Sequence, residues 1–132
     1  FNIVNEGLTT LENCPHTVHG SFLAKRNPIT SLKGGPRVVH GAYFVEHTDL
    51  ESLQGLPQSV GDILWLPWNP HMGYLRCCLT NVMVKIHVVD KSLEWQDEIM
   101  EIINKYRGKG WAAMVPCARE MIRAGFRGNA QL

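Results

Sequence analysis

The sequence of 132 residues has no long hydrophobic run. A helix that crosses a bilayer needs about 20 consecutive apolar residues, so no integral membrane anchor is expected. No secretory leader is expected either, because no basic start runs into an apolar stretch and a small-residue cleavage site. Phe1 is an unusual first residue and suggests a chain cut from a longer precursor. Excess charge is also lacking. Thirteen Lys and Arg face twelve Asp and Glu, a net charge of +1, so whole-chain charge selects neither for nor against nucleic acid. The four cysteines, Cys14, Cys77, Cys78 and Cys117, show no framework spacing. Free thiols in a reducing, cytoplasmic setting are the expectation. No internal repeat or low-complexity segment is read, and no cofactor motif is found.

What is present is enough apolar material, 45% of residues, for one core. One domain over residues 1–132 is expected. Residues 1–36 hold Pro15, Gly20, Pro28, Gly34, Gly35 and Pro36 and read as loops, with one short strand near Ser21–Lys25. Residues 37–90 read as a sheet. Its strands are Arg37–Glu46, Asp62–Trp68, Met72–Leu79 and Asn81–Val89, rich in β-branched and aromatic residues. Leu56–Ser59 reads as a turn, and Thr48–Gln54 as a short helix with Thr48 as N-cap. Along Asn81–Val89, Val82, Val84, Ile86 and Val88 fall on one face and Met83, Lys85, His87 and Val89 on the other.

Residues 91–127 change period. Ser92–Tyr106 reads as a helix capped by Asp90 or Ser92, with Leu93, Trp95, Ile99, Ile102, Ile103 and Tyr106 in one stripe. Pro116–Ala124 reads as a second helix, stopped by Gly125. The expected class is α+β: an antiparallel sheet of about four or five strands with two C-terminal helices on one side.

Cys117 follows Pro116 at the start of the second helix. The positive end of the helix dipole and Arg119 favour thiolate there, as for a nucleophile; a buried, inert thiol is the alternative. Cys14, His16 and His19 offer zinc-type ligands but lack a fourth partner, so no metal is expected. Six cations, Lys105, Arg107, Lys109, Arg119, Arg123 and Arg127, face a single acid, Glu120. That stretch is a candidate RNA or partner surface, with Tyr106 and Trp111 as stacking platforms; a solvated helix face is the plainer reading. Trp65 and Trp68 read as core or as the wall of a groove.

The stretch EIMEIINKYRGKGWAAMVPCAREMIRAGFRG resembles the end of the lecithin:retinol acyltransferase and HRAS-like-suppressor family. There a helix, a short loop and an Asn-Cys pair open a second helix. The picornavirus 2A proteins of the H-box/NC type share the pattern, and all belong with the permuted NlpC-like thiol hydrolases. Strands first and Cys117 late agree with that order. The resemblance spans roughly residues 37–127 and implies a permuted papain-like architecture. The family's Asn-Cys is Pro116-Cys117 here. Its histidine is either His40, in HGAYFV, or His71, in HMGYLR, with His87 or His47 as the group that orients the ring. What the resemblance implies is a viral accessory protein of the host cytoplasm, acting in genome replication through host-protein contacts with weak or no catalysis. An active Cys/His acyltransferase or hydrolase and an RNA-binding module are the alternatives.

Overall fold

A spacing of 21 residues runs through the first half of the chain. Leu11, Leu32 and Leu53 recur at it, as do Pro15, Pro36 and Pro57, and Val18, Val39 and Val60. The computed structural model describes residues 1–132 apart from Leu93. In it each period is one coil of a parallel β-solenoid. Every coil gives one short strand to each of two sheets. The first sheet holds β1 (Thr17–Val18), β3 (Val38–Val39), β5 (Ser59–Val60) and β7 (Asn81–Val82). The second holds β2 (Phe22–Leu23), β4 (Tyr43–Phe44), β6 (Ile63–Pro67) and β8 (Lys85–Val89). All these ladders are parallel, with Thr17 opposite Val38, Val38 opposite Ser59 and Ser59 opposite Asn81. The last step therefore carries one extra residue.

This overturns the expected antiparallel sheet and the permuted papain-like architecture. Hairpins pair strands that follow each other in sequence. Here consecutive strands belong to different sheets, and each pairs with the strand one coil later. Alternation in a single segment looks the same in both arrangements, and only the long-range repeat separates them. The repeat that went unread is thus the main organising feature.

Several boundaries move for the same reason. Residues 1–36, read as loops with one strand near Ser21–Lys25, contain β2 at that place and also β1. Arg37–Glu46 is two strands, β3 and β4, parted by a bend at His40 and Gly41. Asn81–Val89 is also two, β7 and β8, bent at Met83 and Val84. That bend leaves Val84 half exposed while Val82, Ile86 and Val88 are buried. Met72–Leu79, read as a strand, contains a 3₁₀ turn at Leu75–Leu79 that buries Cys77 and Cys78. Ser59, read as the end of a turn, starts β5.

The inward positions stack coil on coil. Phe22, Tyr43, Leu64 and Ile86 form one fully buried column, the Phe22 and Tyr43 rings 5.0 Å apart. Burial of each such side chain contributes about 1.5–3 kcal/mol. Two positions per coil take left-handed backbone: Asn5, Arg26 and His47 form one set, and Asn13, Gly34 and Gly55 the other, each at 21-residue spacing. A polar column turns the chain after each strand of the second sheet. In it Asn27, Thr48 and Asn69 bond to backbone. Thr48, expected to cap a helix, instead donates its hydroxyl to the Val45 carbonyl at 2.7 Å and starts no helix.

The helices close the C-terminal end of the solenoid; they do not lie on one side of a sheet. α1 (Asp97–Tyr106) buries Ile99, Met100 and Ile103. It starts later than expected because Asp90 accepts the Ser92 and Glu94 N–H groups in a turn of its own. Leu93, assigned to the helix stripe, lies outside the described residues. The free edge of β8 is satisfied by side chains. Asn104 accepts the Ile86 N–H at 2.8 Å and donates to the Ile86 carbonyl at 2.8 Å. Arg107 donates to the Val82 and Val84 carbonyls. An open strand edge invites association, and these contacts block it. α2 (Met114–Arg123) follows, with Pro116 in its first turn.

Candidate functional site

Cys117 is the fourth residue of α2 and is 1% exposed. Interaction with the Cys78 thiol, its burial and the nearby Cys77 push it well above the ordinary thiol range. Such a thiol is a poor nucleophile at neutral pH. The candidate histidines lie elsewhere. His40 is exposed at the bend between β3 and β4, its ring 5.2 Å from that of His19. His71 is exposed on the turn after Asn69, where its N–H donates to Asn69 Oδ1. His87 sits on β8 against Trp65. His47 is on the left-handed turn after β4. Among the described residues no hydrogen bond or ring contact joins a histidine to Cys117. The Cys14-His16-His19 cluster is drawn apart: His16 bonds Thr17 Oγ1, and His19 stacks on His40. Among the described residues no group of three His, Cys, Asp or Glu is placed to hold a metal ion.

A direct consequence is testable. Of the four free thiols, Cys14 is partly exposed and the others are buried. Iodoacetamide at neutral pH is expected to modify Cys14 first, with Cys77, Cys78 and Cys117 slower by roughly tenfold or more. Peptide mass spectrometry reads the order. Fast labelling of Cys117 would show an activated thiol and refute this reading.

The basic stretch is partly spent on structure. Lys105 pairs with Glu120 at 2.9 Å, and Tyr106 bonds the same carboxylate. Arg107 is used on the β7–β8 carbonyls and on Asn104. Lys109, Arg119, Arg123 and Arg127 remain exposed. Trp111 is 67% exposed beside them.

Two other features escaped sequence reasoning. The first is the outward face of the second sheet. The 21-residue coil stacks Leu23, Phe44 and Trp65 in one column, and the longer last step adds His87. Phe44 and Trp65 stack at 5.6 Å, and Trp65 and His87 at 4.6 Å. Trp95, held by its bridge to Val89, tilts over the end of the column. The ring residues of β4, β6 and β8 are half-buried. Burial and Lys85 lower the His87 pKa. Lys25 lies over the Phe44 ring at 5.7 Å and 4.0 Å from Glu46 Oε1. Glu46 is buried, and burial pushes its carboxyl up against the pull of its own backbone hydrogen bond and of Lys25.

The second feature is a groove of about 660 Å³ on the flank where each coil enters the first sheet. His16, Arg37 and Gln58 are spaced by one coil along it, and Thr80 continues the column. Lys33 and Arg76 complete its polar rim. The signal for both features was the 21-residue spacing, which turns distant residues into neighbours.

Comparison with protein-family models, with curated proteins and with solved structures returns no match. No described helix is long and apolar enough to cross a membrane.

Proposed function

We propose that this chain is a non-catalytic recognition module that binds an extended acidic protein segment on the outward face of the second sheet. The observation that carries this is the half-buried stack of Phe44, Trp65 and His87 on the outward face of the second sheet. Solenoids present such repeated faces as binding surfaces. Aromatic residues supply most contact energy for little entropy when they are already held in place.

The stack also selects the partner. Its rings lie nearly parallel, at 15° and 16°, so they cover each other's faces and turn their edges to solvent. A nucleobase needs a free ring face to stack upon. Ring edges carry the positive part of the quadrupole and suit oxygen atoms and partner side chains. Lys25 is matched to the buried Glu46 carboxylate, which among the described residues leaves Lys85 as the unpaired cation beside the column. The accessible charge is therefore positive, which favours an acidic segment. This keeps the expected partner-binding role and does not draw on the alternative of thiol chemistry. The viral 2A-type role rested on a fold that the chain does not have, and the proposal does not depend on it.

Panning a random peptide library against the intact chain tests the reading. Acidic peptides are expected to enrich and to lose about tenfold or more in affinity on Trp65→Ala. Their binding should shift the ring resonances of Phe44, Trp65 and His87. Peptides that bind Trp65→Ala unchanged, or no enrichment, would sink it. The expected RNA role of the basic end is an outcome of the same design. Single-stranded RNA bound with steep salt dependence, lost on Trp111→Ala but not on Trp65→Ala, would replace the sheet-face reading.

A further inference from the structure

We propose that the flank groove is a second, separate binding site and that its ligand is a small organic phosphate monoester. Its volume of about 660 Å³ suits a small molecule. Three cations, Lys33, Arg37 and Arg76, line it, and no lining residue is acidic. The nearest acid of that column, Glu12, stands one coil beyond Lys33 and does not line the groove.

Four cations elsewhere in the chain are already engaged. Lys25, Lys91 and Lys105 each pair with a carboxylate, and Arg107 spends its guanidinium on carbonyls. Among the described residues Lys33, Arg37 and Arg76 pair with no acid. Arg76 adds a further sign. Its Nε is buried and has no hydrogen-bond partner. A buried donor left without an acceptor is costly unless something supplies one. A phosphate that drew the Arg76 guanidinium towards the groove would relieve that cost.

The charge count favours a phosphate over a single carboxylate. A phosphate monoester carries about −1.5 to −2 at neutral pH and offers three acceptor oxygens. Two guanidiniums and an ammonium match that better than they match one negative charge. Gln58 and Thr80 add neutral donors to the rim. Leu56 and Pro57 provide apolar surface for the organic part. The coil geometry holds the parts in place, because Lys33 adjoins the left-handed Gly34 and Arg37 leads into β3.

The test is a titration of the intact ¹⁵N-labelled chain with phenyl phosphate at low salt, with benzoate as the carboxylate arm and inorganic phosphate as the free-anion arm. Saturable shifts are expected at the Gly34, Gly55 and Thr80 amides, with a dissociation constant below about 1 mM. Benzoate and inorganic phosphate should bind at least about tenfold more weakly. Arg76→Gln and Arg37→Gln should each weaken phenyl phosphate about tenfold, whereas Lys91→Gln, a charge lost elsewhere, should not. No saturable shift up to about 10 mM would overturn the proposal. So would benzoate or inorganic phosphate matching phenyl phosphate, or binding that Arg76→Gln leaves intact. Failure here would leave the sheet-face reading standing, because Trp65→Ala touches nothing in the groove.

Discussion

Asn27→Ala is expected to destabilise the protein by about 3–5 kcal/mol, a large part of the roughly 5–15 kcal/mol that holds a domain of this size. Asn27 is 2% exposed, and its side chain does the work of a missing strand. Its Oδ1 accepts the Glu6 and Leu8 N–H groups at 3.0 and 3.1 Å. Its Nδ2 donates to the Ile3, Ala24 and Lys25 carbonyls at 2.8, 3.0 and 3.4 Å. Alanine would leave these groups without partners at the turn where one coil passes to the next. The loss should be local before it is global, because each coil leans only on its neighbours. Hydrogen exchange should therefore show protection lost first over residues 1–28, with β8 and α1 still protected. A loss under about 1 kcal/mol in urea, with uniform exchange, would contradict this role.

Gly55→Val is expected to be worse, removing cooperative folding or at least about 4 kcal/mol of stability. Gly55 has φ +97°, where a β-branched residue is a severe outlier. Space is the larger problem. A Cβ at Gly55 would lie 2.4 Å from the Leu32 carbonyl carbon and 2.5 Å from Leu32 O and Lys33 N. Those atoms are backbone of the coil beneath, and parallel strands keep coils about 4.8 Å apart. Neither side can yield without breaking the ladder. Gly110→Ala separates the two causes. Gly110 also has positive φ, +84°, but nothing lies within 4 Å of its Cβ position. It should lose only about 1–3 kcal/mol for the backbone. Thermal melts of both variants compare them, and equal losses would show that crowding between coils is unimportant.

Local signals in the sequence were legible. The 3.6-residue period foretold α1, and Pro116 and Gly125 foretold α2 and its first turn. The alternation in DILWLPW marked β6 to within a residue. Local signals also misled. Asp90 looked like a helix cap and instead closes its own turn. Residues 72–79 looked like a strand, but the last coil needed a tighter turn there. The expected site at Cys117 rested on helix position, on Arg119 and on the resemblance, none of which speaks of burial. Cys77 and Cys78 surround the thiol because the 3₁₀ turn packs against α2, a contact between segments nearly 40 residues apart.

By itself the sequence determined the coil: Leu11, Leu32 and Leu53, the prolines behind them, and the residues at the left-handed turns are local requirements repeated every 21 positions. It also determined that the coils end where the α1 pattern begins. Only the tertiary structure decided what those coils create together. Strand-to-strand stacking brings Phe44, Trp65 and His87 into one column, and Lys33, Arg37 and Arg76 onto one groove. The physical reason is that parallel pairing places residues a whole coil apart within one strand spacing. Neighbourhood on this surface is therefore set by register, which hydrogen bonding between coils fixes and no single segment encodes.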